Sequence, residues 1–388
     1  MKLAIITSHP IQYNAPLFRL LAQRKLLHLK VFYTWGQSQQ VGKFDPGFGK
    51  TIQWDIPLLE GYDHQFVKNI AMDPGTHHFK GIINPSLINE IEAWGADALL
   101  VFGWSFQSHL KCLRYFHNKI PVLFRGDSTL LDEKRGIKQA LRRLFLKWVY
   151  RHIDFAFYVG ENNKNYFSAH GLKPAQLIYA PHAVDNERFA GPAARYEEQA
   201  IEIRKNLGIQ TNDLVLLFAG KFEAKKNPFF LINLLNRISD QRLKILFAGS
   251  GALQSDLKSL AAKDDRILLM DFQNQQIMPA IYRVANLFIL PSAGPGETWG
   301  LAINEAMASG KAVIASNKTG GAIDLIEDEV NGLILDLTNK APLEELIQSS
   351  FNDKEKLLEM GRQSQLRIQS FTFSHIATAV EDCMQRKI

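Results

Sequence analysis

Short, unbroken apolar runs recur along the chain between longer segments with helical spacing. LAIIT, LKVFY, ADALLVF, IPVLF and DFAFYV occupy the first half, and LVLLFAG, LKILFAG, RILLM, NLFIL, KAVIAS and GLIL the second. A strand open to water on one face alternates apolar and polar residues, whereas a strand covered on both faces is apolar throughout. Such strands alternating with helices predict an α/β chain built from doubly wound parallel sheets. The runs form two series, and 388 residues exceed what one core ordinarily holds, so two Rossmann-like domains are expected. The seam is expected between 182 and 212, where PHAVDNERFAGPAARYEEQ carries Pro, Gly and charge without apolar periodicity. The expected domains are therefore 1–185 and 186–371. A terminal helix, 372–388, follows with Ile376, Ala379 and Val380 along one side, and the pattern leaves open whether it packs on its own domain or back on the first.

Composition narrows the class. With 46% hydrophobic and 22% charged residues, disorder is excluded as the main state. Two cysteines, Cys112 and Cys383, suit neither a disulfide framework nor a Cys-rich metal site and point to a reducing compartment. The start, MKLAIITSHPIQY, has only a four-residue apolar run between Lys2 and Thr7, and no stretch of 18 apolar residues occurs, so a cytoplasmic protein without a membrane span is expected. A net charge of +6 is compatible with an anionic ligand, an anionic lipid surface or nucleic acid.

The most informative stretch is FILPSAGPGETWGLAINEAMASGKAVIAS, residues 288–316. It runs from an apolar strand through a Gly- and Pro-rich loop into a helix, then into another strand. Loop 295–298 thus delivers main-chain N–H groups and the positive end of a helix dipole to the carboxyl edge of a parallel sheet, where anions bind. Glu297 and Glu305 flank the helix start at a spacing of eight. A phosphate repels a neighbouring carboxylate, so such carboxylates suit the hydroxyls of a ribose or hexose, and together they suggest a sugar nucleotide. On the alternative reading Glu297 caps the helix and Glu305 lies on a solvated face.

The string LPS…GET-WG…NEAMASGKAVIAS resembles the donor-binding signature of the retaining glycosyltransferases of family 4, which have the GT-B fold of two Rossmann-like domains facing an interdomain cleft. That signature reads approximately PS, then E-G-F-G, then EAMA-G-PVIA; Thr298 stands here for Gly, Trp299 for Phe and Lys311 for Pro. The resemblance implies that Glu297 contacts the donor sugar and Glu305 the ribose, with Thr298, Trp299, Gly300 and Leu301 completing the donor loop. FAGKFEAKKNP is similar to the family's G-R-L-x-x-x-K segment, which implies that Lys221 and Lys226 neutralise the donor diphosphate. Fixed cations there would stabilise charge that builds on the leaving diphosphate; the alternative is a solvated lysine cluster. FAGSGAL resembles a strand-end G-x-G containing Gly249. MDFQNQQIMPAIYRVANLFILPS resembles the segment that holds the nucleobase near Phe272 and Gln273, with Ile277 or Met278 beside the base. YAPHAVDNERF resembles the interdomain connector, with His182 and Ala183 in place of Asn and Gly. The likeness is nearly continuous in the second half and thin in the first.

In the first half, the turn SHPIQY offers His9 and Gln12 as acceptor-side residues, although a lone His after a strand reads more readily as a structural hydrogen bonder. After IPVLF comes RGDST, where several family members carry a His. Arg125, Asp127 and Ser128 stand there. Asp127 is expected to orient or deprotonate an acceptor hydroxyl, or else to serve as a turn or N-cap residue; His109 is a rival. Catalytic roles thus fall to Asp127, Glu297 and Lys226. Segment 133–152 sets Ile137, Leu141, Leu144, Phe145 and Trp148 on one side and cations around the rest. It reads either as a surface for anionic lipid or as a helix packed on the sheet with a solvated cationic face.

The resemblance implies a retaining glycosyltransferase that moves a hexose from a UDP- or GDP-type sugar nucleotide to a glycan or lipid-linked hydroxyl in cell-surface polysaccharide or glycan synthesis. No cofactor is expected. No D-x-D occurs and the cysteines are too few, so no metal is expected either. A nicotinamide-dependent oxidoreductase would need G-x-G-x-x-G in the first βα turn, and none is present. A nucleic-acid-binding protein is supported by charge alone, without a recognition motif.

Overall fold

The structure is a computed structural model and describes residues 1–39, 43–45, 47–134 and 136–386; Arg135 of segment 133–152 and Lys387 and Ile388 of the terminal helix lie outside the described residues. The chain divides into two compact units, one of residues 1–43, 56–182 and 373–388, the other of residues 44–55 and 183–372.

The first unit holds seven strands in the order Asp63–Phe66, His28–Tyr33, Lys2–Thr7, Ala98–Phe102, Val122–Arg125, Phe155–Tyr158 and Leu177–Tyr179. Every pairing is parallel, with Leu3 opposite Leu29 on one side and Ala98 on the other. Strand order reverses between Lys2–Thr7 and Ala98–Phe102, which opens a crevice at their carboxyl ends. Ala4, Ile6, Leu99, Val101 and Phe124 are buried in the core on one side of this sheet. Helix Phe373–Arg386 belongs to this unit, and Arg24 of helix Ala15–Arg24 donates to Glu381 at 2.8 Å and to Thr378 at 2.9 Å.

Segment 133–152 contains helix Ile137–Tyr150. The side that packs inward is not the one suggested by the longest apolar stripe. Leu146, Val149 and Tyr150, at i, i+3 and i+4, are buried, whereas Ile137, Leu141, Leu144 and Phe145 are exposed and Trp148 is half-buried. The helix has two apolar stripes on roughly opposite sides, and the shorter one meets the sheet.

The second unit holds six parallel strands ordered Ile267–Met270, Leu243–Ser250, Leu214–Lys221, Leu287–Leu290, Ala312–Ser316 and Gly332–Leu335. Its core includes Leu216, Phe218, Ile245, Phe247, Ile289 and Ile314. The order reverses between Leu214–Lys221 and Leu287–Leu290. Residues 44–55 were expected with the first domain and belong here instead. Strands Lys43–Asp45 and Lys50–Ile52 pair as a two-stranded sheet, and the following residues hold on through Asn274, which donates to Gln53 O at 2.6 Å, and Asp55, which accepts from the Gln276 N–H at 3.2 Å. These partners lie more than 200 positions away, beyond any local pattern.

Candidate functional site

In the second unit, the loops that leave the two strands at the reversal point are tied to each other and to the end of the neighbouring strand Ala312–Ser316. The Ala293 N–H donates to Lys225 O at 2.8 Å, and the Ser316 hydroxyl donates to Ser292 O at 2.5 Å. Helix Leu301–Ala308 starts at Gly300, whose φ is +96°. A Cβ there would lie 2.8 Å from Thr319 Cγ2 and 2.9 Å from Leu290 Cδ2, so both conformation and space require glycine. Trp299 is buried and its Nε1–H donates to Asn304 Oδ1 at 2.8 Å, which makes it a support beneath the loop. Thr298 and Leu301 are half-buried beside it, while Pro295 and Gly296 are exposed.

Glu297 does not cap the helix. Its Oε2 accepts from Lys226 Nζ at 2.7 Å and from the Ser292 hydroxyl at 3.1 Å, in a pair whose side chains are 10% and 16% exposed. Nor is Glu305 on a solvated face: it is 3% exposed and accepts from the buried Tyr282 hydroxyl at 2.7 Å. The structure therefore brings Glu297 and Lys226 together at the reversal point and buries Glu305 in the helix that starts there. Two carboxylates, a lysine and a helix N-terminus at such an edge can hold a phosphate and sugar hydroxyls side by side.

Lys221 ends strand Leu214–Lys221 and is engaged by the inserted segment. Its Nζ lies 2.8 Å and 3.1 Å from the two oxygens of Asp45 and 5.0 Å from the centre of the Phe48 ring. Burial alone would push the Asp45 carboxyl up, but the hydrogen bond and charge of Lys221, with the N–H groups of Phe48 and Gly47, outweigh it and hold the carboxyl below its ordinary value. Sequence reasoning missed Asp45, because its partner is 176 residues away. Ser250 donates to Phe48 O at 2.9 Å, and Gly251, where a Cβ would meet Phe222 O at 2.7 Å and Gly47 O at 3.0 Å, lies under the same segment. Gly249 is equally confined, since a Cβ would come within 1.9 Å of Gly220 O.

The same segment also reaches the residues assigned to the base. Phe272 is half-buried, edge-on to Phe48 at 4.9 Å and 6.2 Å from Trp54, with Lys50 Nζ 5.7 Å above its ring. Gln273 is half-buried and donates to Asp271 O at 3.0 Å, and Ile277 is half-buried just before helix Met278–Val284.

In the first unit, Arg125 is buried at the end of strand Val122–Arg125 and donates to Ala180 O at 2.8 Å and Pro181 O at 2.9 Å. Burial pushes its guanidinium down to about 10, with Asp127 opposing, so it remains a cation at neutral pH. The two carbonyls it holds immediately precede His182, whose Nε2 lies 3.7 Å from Asp127 Oδ2. Burial pushes the His182 imidazole below its ordinary value; Asp127 raises it and Arg125 lowers it further. A histidine therefore does stand beside Asp127, supplied by the connector 55 positions on. The signal was the departure of His182 from the connector pattern.

His109 is placed in the core. It is fully buried, Nε2 lies 2.9 Å from Thr34 Oγ1, Nδ1 lies 3.0 Å from Gly103 O, and burial pushes it down to about 4. Those contacts make it a neutral structural residue and not an acceptor-side group. His9 is half-buried after strand Lys2–Thr7, with Nδ1 2.9 Å from the Ser8 hydroxyl and its ring edge-on to Trp35 at 5.4 Å; Gln12 is half-buried on the next turn. Among the described residues, Asp73, His77 and His78 form the one group with metal-ligand spacing, on the surface of the first unit, where hydrogen bonding to His77 holds the Asp73 carboxyl low. None of them is among the residues above.

Residues 199–367 match the family model described as Glycosyl transferases group 1, a stretch that contains Lys221, Lys226, Gly249, Phe272, Glu297 and Glu305. That stretch is similar to glycosyl transferases group 1 domains. The D-inositol 3-phosphate glycosyltransferase of an Arthrobacter species is 31% identical over 207 residues, which cover 51% of this chain and 47% of that protein. This chain spans about half or less of the length of the curated relatives it matches. Among solved structures, Anabaena HepE in complex with UDP superposes with a TM-score of 0.73 at 18% identity over 99% of both chains. Sucrose-phosphate synthase of Thermosynechococcus elongatus superposes with a TM-score of 0.75 at 18% identity over 100% of this chain and 99% of that one. At such identity the likeness establishes the fold, which is GT-B, with the group 1 domain as the second of two Rossmann-like units. Among the described residues no helix is long and apolar enough to cross a membrane.

Proposed function

We propose that the chain is a retaining, metal-independent glycosyltransferase that moves a hexose from a UDP- or GDP-type sugar nucleotide to a hydroxyl of a glycan or lipid-linked acceptor, in the cytoplasm and in the service of cell-surface polysaccharide or glycan synthesis. The observation that carries this reading is the Lys226–Glu297 pair, joined at 2.7 Å at the strand-order reversal of the group 1 domain. The bond between the anomeric carbon and the phosphate oxygen breaks, and negative charge grows on the departing diphosphate. Lys226, Lys221 and the N-terminus of helix Leu301–Ala308 meet that charge, in the role a bound cation would otherwise take. Glu297 receives the sugar hydroxyls and Glu305 the ribose. UDP in the Anabaena relative supports a uridine donor as the first to try. On the first unit, Asp127 orients the acceptor hydroxyl and takes its proton, with the His182 imidazole, held below its ordinary value chiefly by burial, 3.7 Å away.

The test is incubation with UDP-glucose and GDP-mannose in the presence of a chelator, with the anomeric proton of the released or transferred sugar followed by NMR. The expected product keeps the donor's anomeric configuration, and turnover is unchanged by the chelator. Inversion at the anomeric carbon, or activity only with added magnesium, would overturn the corresponding part of the reading.

A further inference from the structure

Helix Ile137–Tyr150 of the first unit turns a large apolar surface to the solvent. Ile137 is 82% exposed, Leu141 62%, Leu144 65% and Phe145 42%. Half-buried Trp148 continues the stripe, and Trp104 supports it with its ring 5.5 Å from Phe145. Isolated exposed leucines are ordinary, but a continuous stripe on the side of a helix opposite its packed face is not.

The flanks of that stripe are cationic. At about 100° per residue, Lys138 and Arg142 fall on one flank and Lys147 and Arg151 on the other. All four are exposed. Arg114 adds a further cation, 5.3 Å above the Trp148 ring. No acidic residue occurs from 134 to 153; of the two carboxylates that border the stretch, Glu133 lies 3.8 Å from Arg142 and 3.1 Å from Arg143, and Asp154 accepts from the Val122 N–H at 2.8 Å. The cross-section therefore runs from packed core through two cationic flanks to an apolar crest. A helix lying in a lipid interface has this arrangement, with the apolar crest among the acyl chains and the cations at the headgroups.

We propose that this face of helix Ile137–Tyr150 docks on an anionic phospholipid membrane. A second copy of the chain would set the cationic flanks against their own kind, and a polynucleotide would leave the apolar crest in water. An anionic bilayer satisfies both at once. The proposal does not depend on glycosyl transfer. Docking would also bring residues 126–134, which follow strand Val122–Arg125 and include Asp127, toward the lipid surface; that consequence rests on the acceptor role given to Asp127.

Flotation of the full chain with vesicles of phosphatidylcholine alone, and of phosphatidylcholine mixed with phosphatidylglycerol, tests it. Binding is expected to the anionic vesicles and not to the neutral ones, and to weaken in about 1 M salt, where the Debye length is ~3 Å. Leu141→Glu combined with Leu144→Glu, both at exposed positions, should keep the wild-type melting temperature and lower the partition coefficient about tenfold or more. Lys138→Glu combined with Arg142→Glu should abolish the preference for anionic lipid. No flotation by the folded wild-type chain at low salt, or flotation untouched by the double leucine variant, overturns the proposal. So does a wild-type dimer in light scattering that the double leucine variant dissociates, since a second copy would then cover the face.

Discussion

Lys221 and Lys226 each face a carboxylate in this structure, yet the two pairs differ in origin and in consequence. Glu297 lies in the same loop system as Lys226 and shares its burial, whereas Asp45 reaches Lys221 from the inserted segment at a site about 30% exposed. On the proposed reading, a diphosphate at Lys221 would compete with Asp45. An exposed pair of this kind is worth roughly 0.2–1 kcal/mol, so Asp45→Asn is expected to tighten binding of the nucleoside diphosphate about 1.4- to fivefold in a calorimetric titration, and a weaker complex would contradict the competition. The pair also has a pH signature. Because the Asp45 carboxyl is held below its ordinary value, the contact contributes fully above that value and is lost as the pH falls through the depressed one. Trp54 fluorescence, reporting on the segment's contact with Phe272, should change in that acid window in wild type and not in Asp45→Asn. In the first unit, Asp127→Asn should lower transfer by about 10²–10⁴-fold, with donor KM unchanged. Equal loss in KM would mark it as a folding residue. These pairings were illegible in the sequence for one reason: Lys221 and Asp45, like Asp127 and His182, meet only after the chain has folded over long separations. The Glu297–Glu305 string could be read because it is local.

Elements were more legible than their surroundings. Strands such as Leu214–Lys221 and Ala312–Ser316 are buried along almost their whole length, so burial on both faces left its mark as unbroken apolar runs. Helix Ile137–Tyr150 was visible as a helix, but periodicity cannot say which of two apolar stripes meets the core; only the packing of Leu146, Val149 and Tyr150 does. The paired strands Lys43–Asp45 and Lys50–Ile52 carry no strong pattern at all. Lys311 illustrates a departure from the resembled signature whose cost can be measured. Where that signature has Pro, the Lys311 N–H donates to Ala306 O at 3.0 Å, and burial pushes its ammonium down to about 8, with Glu197 opposing and Arg283 and Arg204 adding to the shift. The unfolded chain therefore binds more protons between pH 8 and the ordinary lysine value, so stability climbs with pH through that window and the penalty is complete below it. Lys311→Met, which keeps the N–H, should stabilise the chain by about 1–3 kcal/mol at pH 7, with the gain shrinking near pH 10. Thermal melts at the two pH values check this, and a gain independent of pH would assign the effect to packing.

At the scale of the whole molecule, the two Rossmann-like units were legible from the two series of apolar runs, and the likeness to a glycosyltransferase family with the GT-B fold from one local string. The membership of residues 44–55 was not, since a crossing segment of twelve residues is decided by contacts and not by composition. The central claim is that the group 1 domain holds a nucleoside diphosphate through Lys226. It is tested most directly by thermal unfolding of wild type and Lys226→Ala with UDP, GDP and, as a control, NAD, each shift being taken from the variant's own unliganded melt. A diphosphate at about a hundred times its Kd should stabilise wild type by ~2.7 kcal/mol, and the loss of a charged hydrogen bond, about 1.5–3 kcal/mol, should erase most of that shift in the variant. Stabilisation by NAD alone, or a diphosphate shift of equal size in Lys226→Ala, would contradict the account.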